Sequence, residues 1–188
     1  GVPLQFTYDA AGRRVSMKHE GDPLATTYQY DALNRVTKVM DALYNTTAYA
    51  YNWRDQVTQV QRSTSQLPPE SAPVITTSYA YGPTGLLVTE TDPRGYSTKY
   101  VYDARGLLST QWLPDPDGED PNTTGPQFRS WLKYTYDQQG RLIDIEETQL
   151  RHTSAAYDQR DRLTQVTLPD PDGAGALTSP VLSATYDH

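Results

Sequence analysis

One short phrase, repeated along the chain, constrains the fold more than anything else in it. A tyrosine followed by aspartate, or by Asn or Gly in the same place, occurs at Tyr8, Tyr30, Tyr51, Tyr81, Tyr102, Tyr136, Tyr157 and Tyr186. The intervals are 22, 21, 30, 21, 34, 21 and 29 residues, so the base period is about 21 and three units carry insertions. A catalytic group is not copied eight times along 188 residues, whereas a structural module is.

Aligned on the residue after each tyrosine, the units read Asp9, Asp31, Asn52, Gly82, Asp103, Asp137, Asp158 and Asp187. Two residues before each tyrosine stand Phe6, Tyr28, Tyr49, Tyr79, Tyr100 and Tyr134, then Ala155 and Ala184. Aromatics two apart share one face of an extended strand and would be splayed apart on a helix. Three residues after the Asp position come Gly12, Asn34, Asp55, Gly85, Gly106, Gly140 and Asp161, all types that tolerate a positive φ. An aspartate that caps its own turn, followed three residues on by such a residue, predicts a type I turn closed by a left-handed residue, a common hairpin connection. At Gly82 no such cap is available, so that loop is expected to rely on Pro83 and Gly85.

A return strand follows each turn, as in "RVTKV" (35–39), "RLIDI" (141–145) and "RLTQV" (162–166). Its first apolar residue, such as Val36, Val57, Leu108, Leu142 or Leu163, is followed by a second three places later, as at Val39, Val60, Ile145 and Val166. That spacing breaks strict alternation, and either a β-bulge or burial on both faces would account for it. The expected fold is therefore all-β: consecutive antiparallel hairpins joined edge to edge in a long twisted sheet, because a lone hairpin is marginal in water. Tyrosine rows are expected to stack between neighbouring hairpins.

Composition narrows the functional classes. The net charge is −7 with no basic run, which argues against nucleic acid and against an anionic membrane surface. No apolar run reaches the ~18 residues of a spanning helix, and the absence of cysteine excludes disulfides and thiolate metal sites. Hydrophobic residues make up 36%, low for one central core, and 15 tyrosines compensate by repetitive placement. The repeats form a single region over 1–188, and the phrasing at both ends reads as a piece of a longer chain.

Three stretches interrupt the period, at 62–78, 113–131 and 168–181, and most of the prolines fall in them. They follow alternate hairpins, so they are expected on one rim of the sheet. The carboxylates Asp115, Asp117, Glu119 and Asp120 lack calcium-loop spacing and read as a solvated acidic turn, as do Asp170 and Asp172. His19, His152 and His188 have no catalytic or metal-binding partner pattern, no serine sits in a nucleophile elbow, and no cofactor motif is found. Asn45 and Asn122 head N-x-T sequences that fit the N-glycosylation pattern, which carries meaning only if the source glycosylates such sites. Trp53, Trp112 and Trp131 could stack on sugars. Trp53 occupies a turn position, and Trp112 and Trp131 bracket a loop.

The phrases "YDALNRVTKV", "TDPRGYSTKYVYDARGLLS" and "YTYDQQGRLIDI" resemble YD repeats of the Rhs family, found in bacterial Rhs and wall-associated toxins, the C component of Tc toxins and teneurins. The resemblance covers nearly the whole chain. It implies hairpins joined in a strip that spirals into a hollow shell, holding a C-terminal toxin domain in the bacterial members and supporting adhesion domains in teneurins. It also implies a secreted bacterial protein, a structural role without catalysis, and as partners the rest of the shell and the enclosed domain. Asp92-Pro93-Arg94-Gly95 shares letters with the family's self-cleavage region but stands in register as an ordinary approach to a repeat. The competing expectation is a module that binds a cell-surface glycan or protein, with Trp112 and Trp131 as candidate contacts. Open strand edges are expected to favour self-association.

Overall fold

A computed structural model describes residues 1–64, 73–114, 131–148, 151–173 and 177–187. The described residues form fifteen β-strands and no helix, and the strands follow chain order in one open antiparallel sheet. Two compact units divide the chain: Gly1–Gly85 with Glu90–Gly95, and Leu86–Thr89 with Tyr96–His188.

The first unit holds β1 (Leu4–Tyr8), β2 (Arg14–His19), β3 (Thr26–Tyr30), β4 (Val36–Met40), β5 (Thr46–Tyr51), β6 (Val57–Ser63) and β7 (Val74–Tyr81). Each strand pairs with the next. The second holds β9 (Ser97–Tyr102), β10 (Leu108–Trp112), β11 (Trp131–Tyr136), β12 (Leu142–Glu147), β13 (Arg151–Tyr157), β14 (Leu163–Thr167) and β15 (Val181–Ser183), paired in the same way. β8 (Leu87–Thr91) contributes to both units.

Seven of the eight phrases, from Tyr8 to Tyr157, end a strand and open a turn, and Tyr186 lies just beyond β15. Gly12, Gly85, Gly106 and Gly140 have φ between 77° and 85°, and Asn34, Asp55 and Asp161 lie at 62° to 65°. The amide of each donates to the carbonyl three residues back, for example Gly106 to Asp103 at 3.0 Å and Asn34 to Asp31 at 3.1 Å. The Gly82 loop closes likewise, Gly85 donating to the Gly82 carbonyl at 2.9 Å.

Register resolves the spacing of three. Tyr30 faces Val36 while Gln29 faces Lys38, so Thr37 is an extra residue on the return strand. The same bulge falls at Thr58, Ile143 and Thr164. It keeps both apolar residues on the tyrosine face: Tyr49 pairs with Val60 and Tyr51 with Val57, Tyr134 with Ile145 and Tyr136 with Leu142. A bulge, rather than two-sided burial, accounts for the broken alternation.

No described residue is fully buried. The accessible surface is 13139 Å², where a compact chain of this mass exposes about 9,000 Å². A single sheet layer buries side chains only against lateral neighbours, which explains the partial burial of strand after strand.

The interrupting segments are bounded by paired strands. β6 and β7 continue their ladder to Ser63 and Val74, inside the 62–78 stretch. Trp112 and Trp131, on either side of the second stretch, face each other as the last rung of β10 and β11. Within each unit these segments leave the sheet at the rim opposite the Tyr-Asp turns, as strand alternation requires. Asp115, Asp117, Glu119, Asp120, Asn122 and His188 lie outside the described residues.

Candidate functional site

The side chains that recur in register line the rim of Tyr-Asp turns. Each aspartate does two jobs there. One carboxylate oxygen accepts the main-chain amides two and four residues on: Asp31 Oδ1 takes Leu33 at 2.9 Å and Arg35 at 3.0 Å. The other oxygen takes the side chain at the fourth position, Arg35 Nε at 2.7 Å. Asp9 with Arg13, Asp137 with Arg141 and Asp158 with Arg162 repeat this at 2.6, 2.6 and 2.7 Å.

The arginine then reaches the next turn along the rim. Arg35 Nη1 donates to the Asn52 carbonyl at 3.0 Å and to Asp55 Oδ1 at 2.8 Å. Arg13 reaches the Asp31 carbonyl and Asn34, and Arg141 reaches the Asp158 carbonyl and Asp161. Arg162 reaches the Asp187 carbonyl at 3.3 Å. The residue three after the aspartate therefore serves twice where it is Asn or Asp: it takes the positive φ and accepts the incoming guanidinium.

Two units vary the theme. Asp103 is followed at the fourth position by Leu107, and Arg105, two residues on, substitutes: Nε meets Asp103 Oδ2 at 3.1 Å and Nη1 the Asp137 carbonyl at 2.8 Å. In the third unit amides replace the ion pair. Asn52 Nδ2 donates to Gln56 Oε1 at 3.0 Å, and Gln56 Nε2 donates to the Gly85 carbonyl at 2.6 Å.

Tyrosines supply a second tie. Tyr30 donates its hydroxyl to the Arg14 carbonyl, Tyr51 to Val36, Tyr81 to Val57, Tyr102 to Leu87, Tyr157 to Leu142 and Tyr186 to Leu163, all within 2.7–2.9 Å. In each pair the acceptor opens the return strand of the preceding hairpin. Ring-on-ring stacking between hairpins was the expectation, but guanidinium groups take that place at Tyr30, Tyr51, Tyr157 and Tyr186, lying 4.5–4.9 Å from the ring centres. Tyr8, on the first strand, is 61% exposed.

These contacts shift the carboxyls. Amide donation from the fourth residue holds Asp9, Asp31, Asp103 and Asp158 below the usual carboxylate range, reinforced by the arginine. At Asp137 burial pushes upward, and the Arg141 amide and guanidinium outweigh it. Asp41 is lowered chiefly by the Asn45 side-chain amide. Reciprocally, the bond to Asp31 raises Arg35, and that to Asp137 raises Arg141. Burial raises the phenols of Tyr51 and Tyr81.

The opposite rim uses the same turn. Asp41 accepts the amides of Leu43 and Asn45 and the Asn45 side chain, with Tyr44 at φ 65°. Asp92 accepts the Arg94 amide at 2.8 Å and Gly95 closes the turn at φ 90°. The self-cleavage letters at 92–95 thus spell a hairpin turn. His152 lies on the surface beside Asp144 Oδ2 at 3.0 Å, and Asp170 accepts the Asp172 amide at 3.1 Å. Among the described residues no group of three or more His, Asp or Glu side chains is placed to hold a metal ion.

Hairpins closed by aspartate turns, and tied each to the next by arginine and tyrosine, define a β-hairpin repeat architecture. Residues 83–120 match the family model described as RHS Repeat. That match covers about a fifth of the chain, and the whole chain is a structural repeat segment similar to part of a toxin-related protein. Double-stranded DNA deaminase toxin A of Burkholderia cenocepacia (strain H111) is 25% identical over 175 residues, 92% of this chain and 11% of that protein. A crystal structure of TcdB2-TccC3-Cdc42 superposes with a TM-score of 0.76 at 18% identity, over 100% of this chain and 10% of that one. A Photorhabdus luminescens Tc holotoxin pore structure gives 0.59 at 15% identity, over 95% and 11%. The chain therefore spans about a tenth of the length of these relatives. At such identities the structural likeness concerns the fold.

Proposed function

We propose that this chain is a stretch of wall in the β-shell of a secreted bacterial Rhs-type protein, and that the shell encloses a C-terminal toxin or effector domain. Its partners are the neighbouring wall and the enclosed domain. Its work is structural: to keep a continuous barrier of hydrogen-bonded strand between cargo and solvent. The observation that carries this reading is the single sheet layer, with no fully buried residue among those described and a tyrosine face lacking a second layer. Such a layer gains stability by lateral extension, which is how a wall is built.

Limited proteolysis of the full parent protein tests it. Enclosure expects a C-terminal domain that resists trypsin in the intact protein and becomes sensitive when the wall is weakened by a paired Asp137→Ala and Arg141→Ala change. Digestion of that domain at the same rate in the intact protein as in isolation overturns it.

A second reading, a glycan-binding module, draws on the direct pairing of Trp112 with Trp131 at the end of β10 and β11. Two adjacent indoles make a platform for sugar rings. Glycan-array binding that disappears with Trp112→Ala and Trp131→Ala would favour the module over the wall.

A further inference from the structure

The third turn departs from the repeat in ways that converge on one place. The residue after the Asp position is Ala10, Ala32, Pro83, Ala104, Gln138 or Gln159 in the other turns, and Trp53 here. That indole is 82% exposed, so packing within the sheet does not account for it. The same turn has exchanged the aspartate–arginine pair for Asn52 and Gln56.

Beside Trp53 lies an open depression of about 320 Å³, lined also by Asn52, Arg54, Gln56, Tyr81 and Pro83. It sits at the lower end of the roughly 300–1,000 Å³ typical of small-molecule sites. Arg54 is fixed in place: Nη1 donates to the Pro83 carbonyl at 2.7 Å, and its guanidinium lies 4.5 Å from the indole centre. Among the described residues no carboxylate pairs with Arg54, whereas Arg13, Arg35, Arg105, Arg141 and Arg162 each hold one.

A guanidinium without a carboxylate partner among the described residues, an exposed indole and two side-chain amides form a complementary set. A guanidinium fork matches a carboxylate. An indole face suits the C–H face of a pyranose ring, and Asn52 and Gln56, whose oxygens are already engaged, each keep a second side-chain N–H that can donate to a hydroxyl. We infer that the Trp53–Arg54 turn is a binding site for a carboxylated sugar of the uronate or sialate class. The net charge of −7 opposes anions at long range, but salt screens charges beyond about 8 Å under physiological conditions. The local guanidinium then dominates. The site shares no residue with the Trp112–Trp131 pair and does not depend on the wall reading.

The test is an array of uronate-, sialate- and neutral-terminated glycans probed with the full parent chain, followed by titration with free glucuronate and sialate. Saturable binding of carboxylated over neutral sugars is expected. Trp53→Ala should weaken it about tenfold or more, as should Arg54→Gln, in line with the loss of a charge-assisted contact. Trp53→Phe, which keeps a ring, should restore part, and Trp112→Ala should leave it unchanged. Strand content by circular dichroism should match wild type throughout, since the tip residue is solvent-exposed. Absence of sugar binding, equal binding of neutral sugars, or binding indifferent to Trp53→Ala and Arg54→Gln overturns the assignment.

Discussion

The Tyr51 hydroxyl donates to the Val36 carbonyl at 2.7 Å across the junction of two hairpins, fifteen residues apart in sequence. Tyr51 also faces Val57 in its own hairpin, so one side chain serves both the strand pair it belongs to and the pair before it. The repeated tyrosine is thus an inter-unit fastener, which fits a chain in which a lone hairpin has little stability of its own.

Tyr51→Phe keeps the ring and removes only that bond. The change should lower stability by about 0.5–1.5 kcal/mol, the usual net worth of such a bond, whereas Tyr49→Phe should leave it unchanged because the Tyr49 hydroxyl makes no hydrogen bond among the described residues. Urea denaturation of the two variants checks the contrast. Equal losses at both positions would assign the effect to the ring and not to the hydroxyl.

Arginine serves from either of two positions, as Arg35 does four residues after its aspartate and Arg105 two residues after. Arg105→Leu should lower the denaturation midpoint. Adding Leu107→Arg should recover most of it by restoring the commoner arrangement. A double variant no more stable than the single one would show that the two positions are not equivalent.

The aspartates give the fold a pH dependence of definite sign. Their folded pKa values lie below the ordinary carboxylate value, so the stability they contribute is fully present above about pH 4. It is lost as the pH falls through the depressed folded values. Denaturation midpoints should be flat with respect to these groups near neutrality and fall in acid. Asp31→Asn combined with Asp158→Asn should flatten that acid limb while keeping the turns, since Asn52 already accepts the same two amides at 2.9 and 3.1 Å. An unchanged acid limb would assign it to other groups.

Gly106 sits at φ 81°, and a Cβ there would meet only Leu86 Cδ1 at an ordinary 3.8 Å. Gly106→Ala should therefore cost about 1–2 kcal/mol from backbone strain alone. Asn34→Gly relieves strain but removes the side chain that receives Arg13, so its net effect should be smaller. Equilibrium denaturation of the pair separates the two terms, and a neutral Gly106→Ala would contradict the strain argument.

Strands and turns were legible because they depend on neighbours in sequence. Tyr28 and Tyr30 announce a strand face, and Asp103 with Gly106 announces a turn. The ties between units were not, because they depend on register between segments. The signal was present: Arg13, Arg35, Arg141 and Arg162 all stand just after the positive-φ residue. In sequence, however, an arginine beside a turn looks like a solvated charge until the next turn is placed against it. The bulge stayed ambiguous for the same reason, since Val36 and Val39 carry no information about which partner each faces. The turn at 41–45 was missed because Tyr44 is an unusual residue at positive φ.

Within each unit the guanidinium links of Arg13, Arg35, Arg105, Arg141 and Arg162 point one way, toward a later turn, and each reaches a main-chain carbonyl. For a polypeptide synthesised from its amino end, the donor is always finished before its receiver exists. The main-chain acceptor survives any side-chain substitution in the incoming unit, even where a second, side-chain acceptor such as Asn34 or Asp55 is lost. Sequence drift in one repeat can therefore erase its own outgoing link without erasing the one it receives, so damage stays local to a single junction.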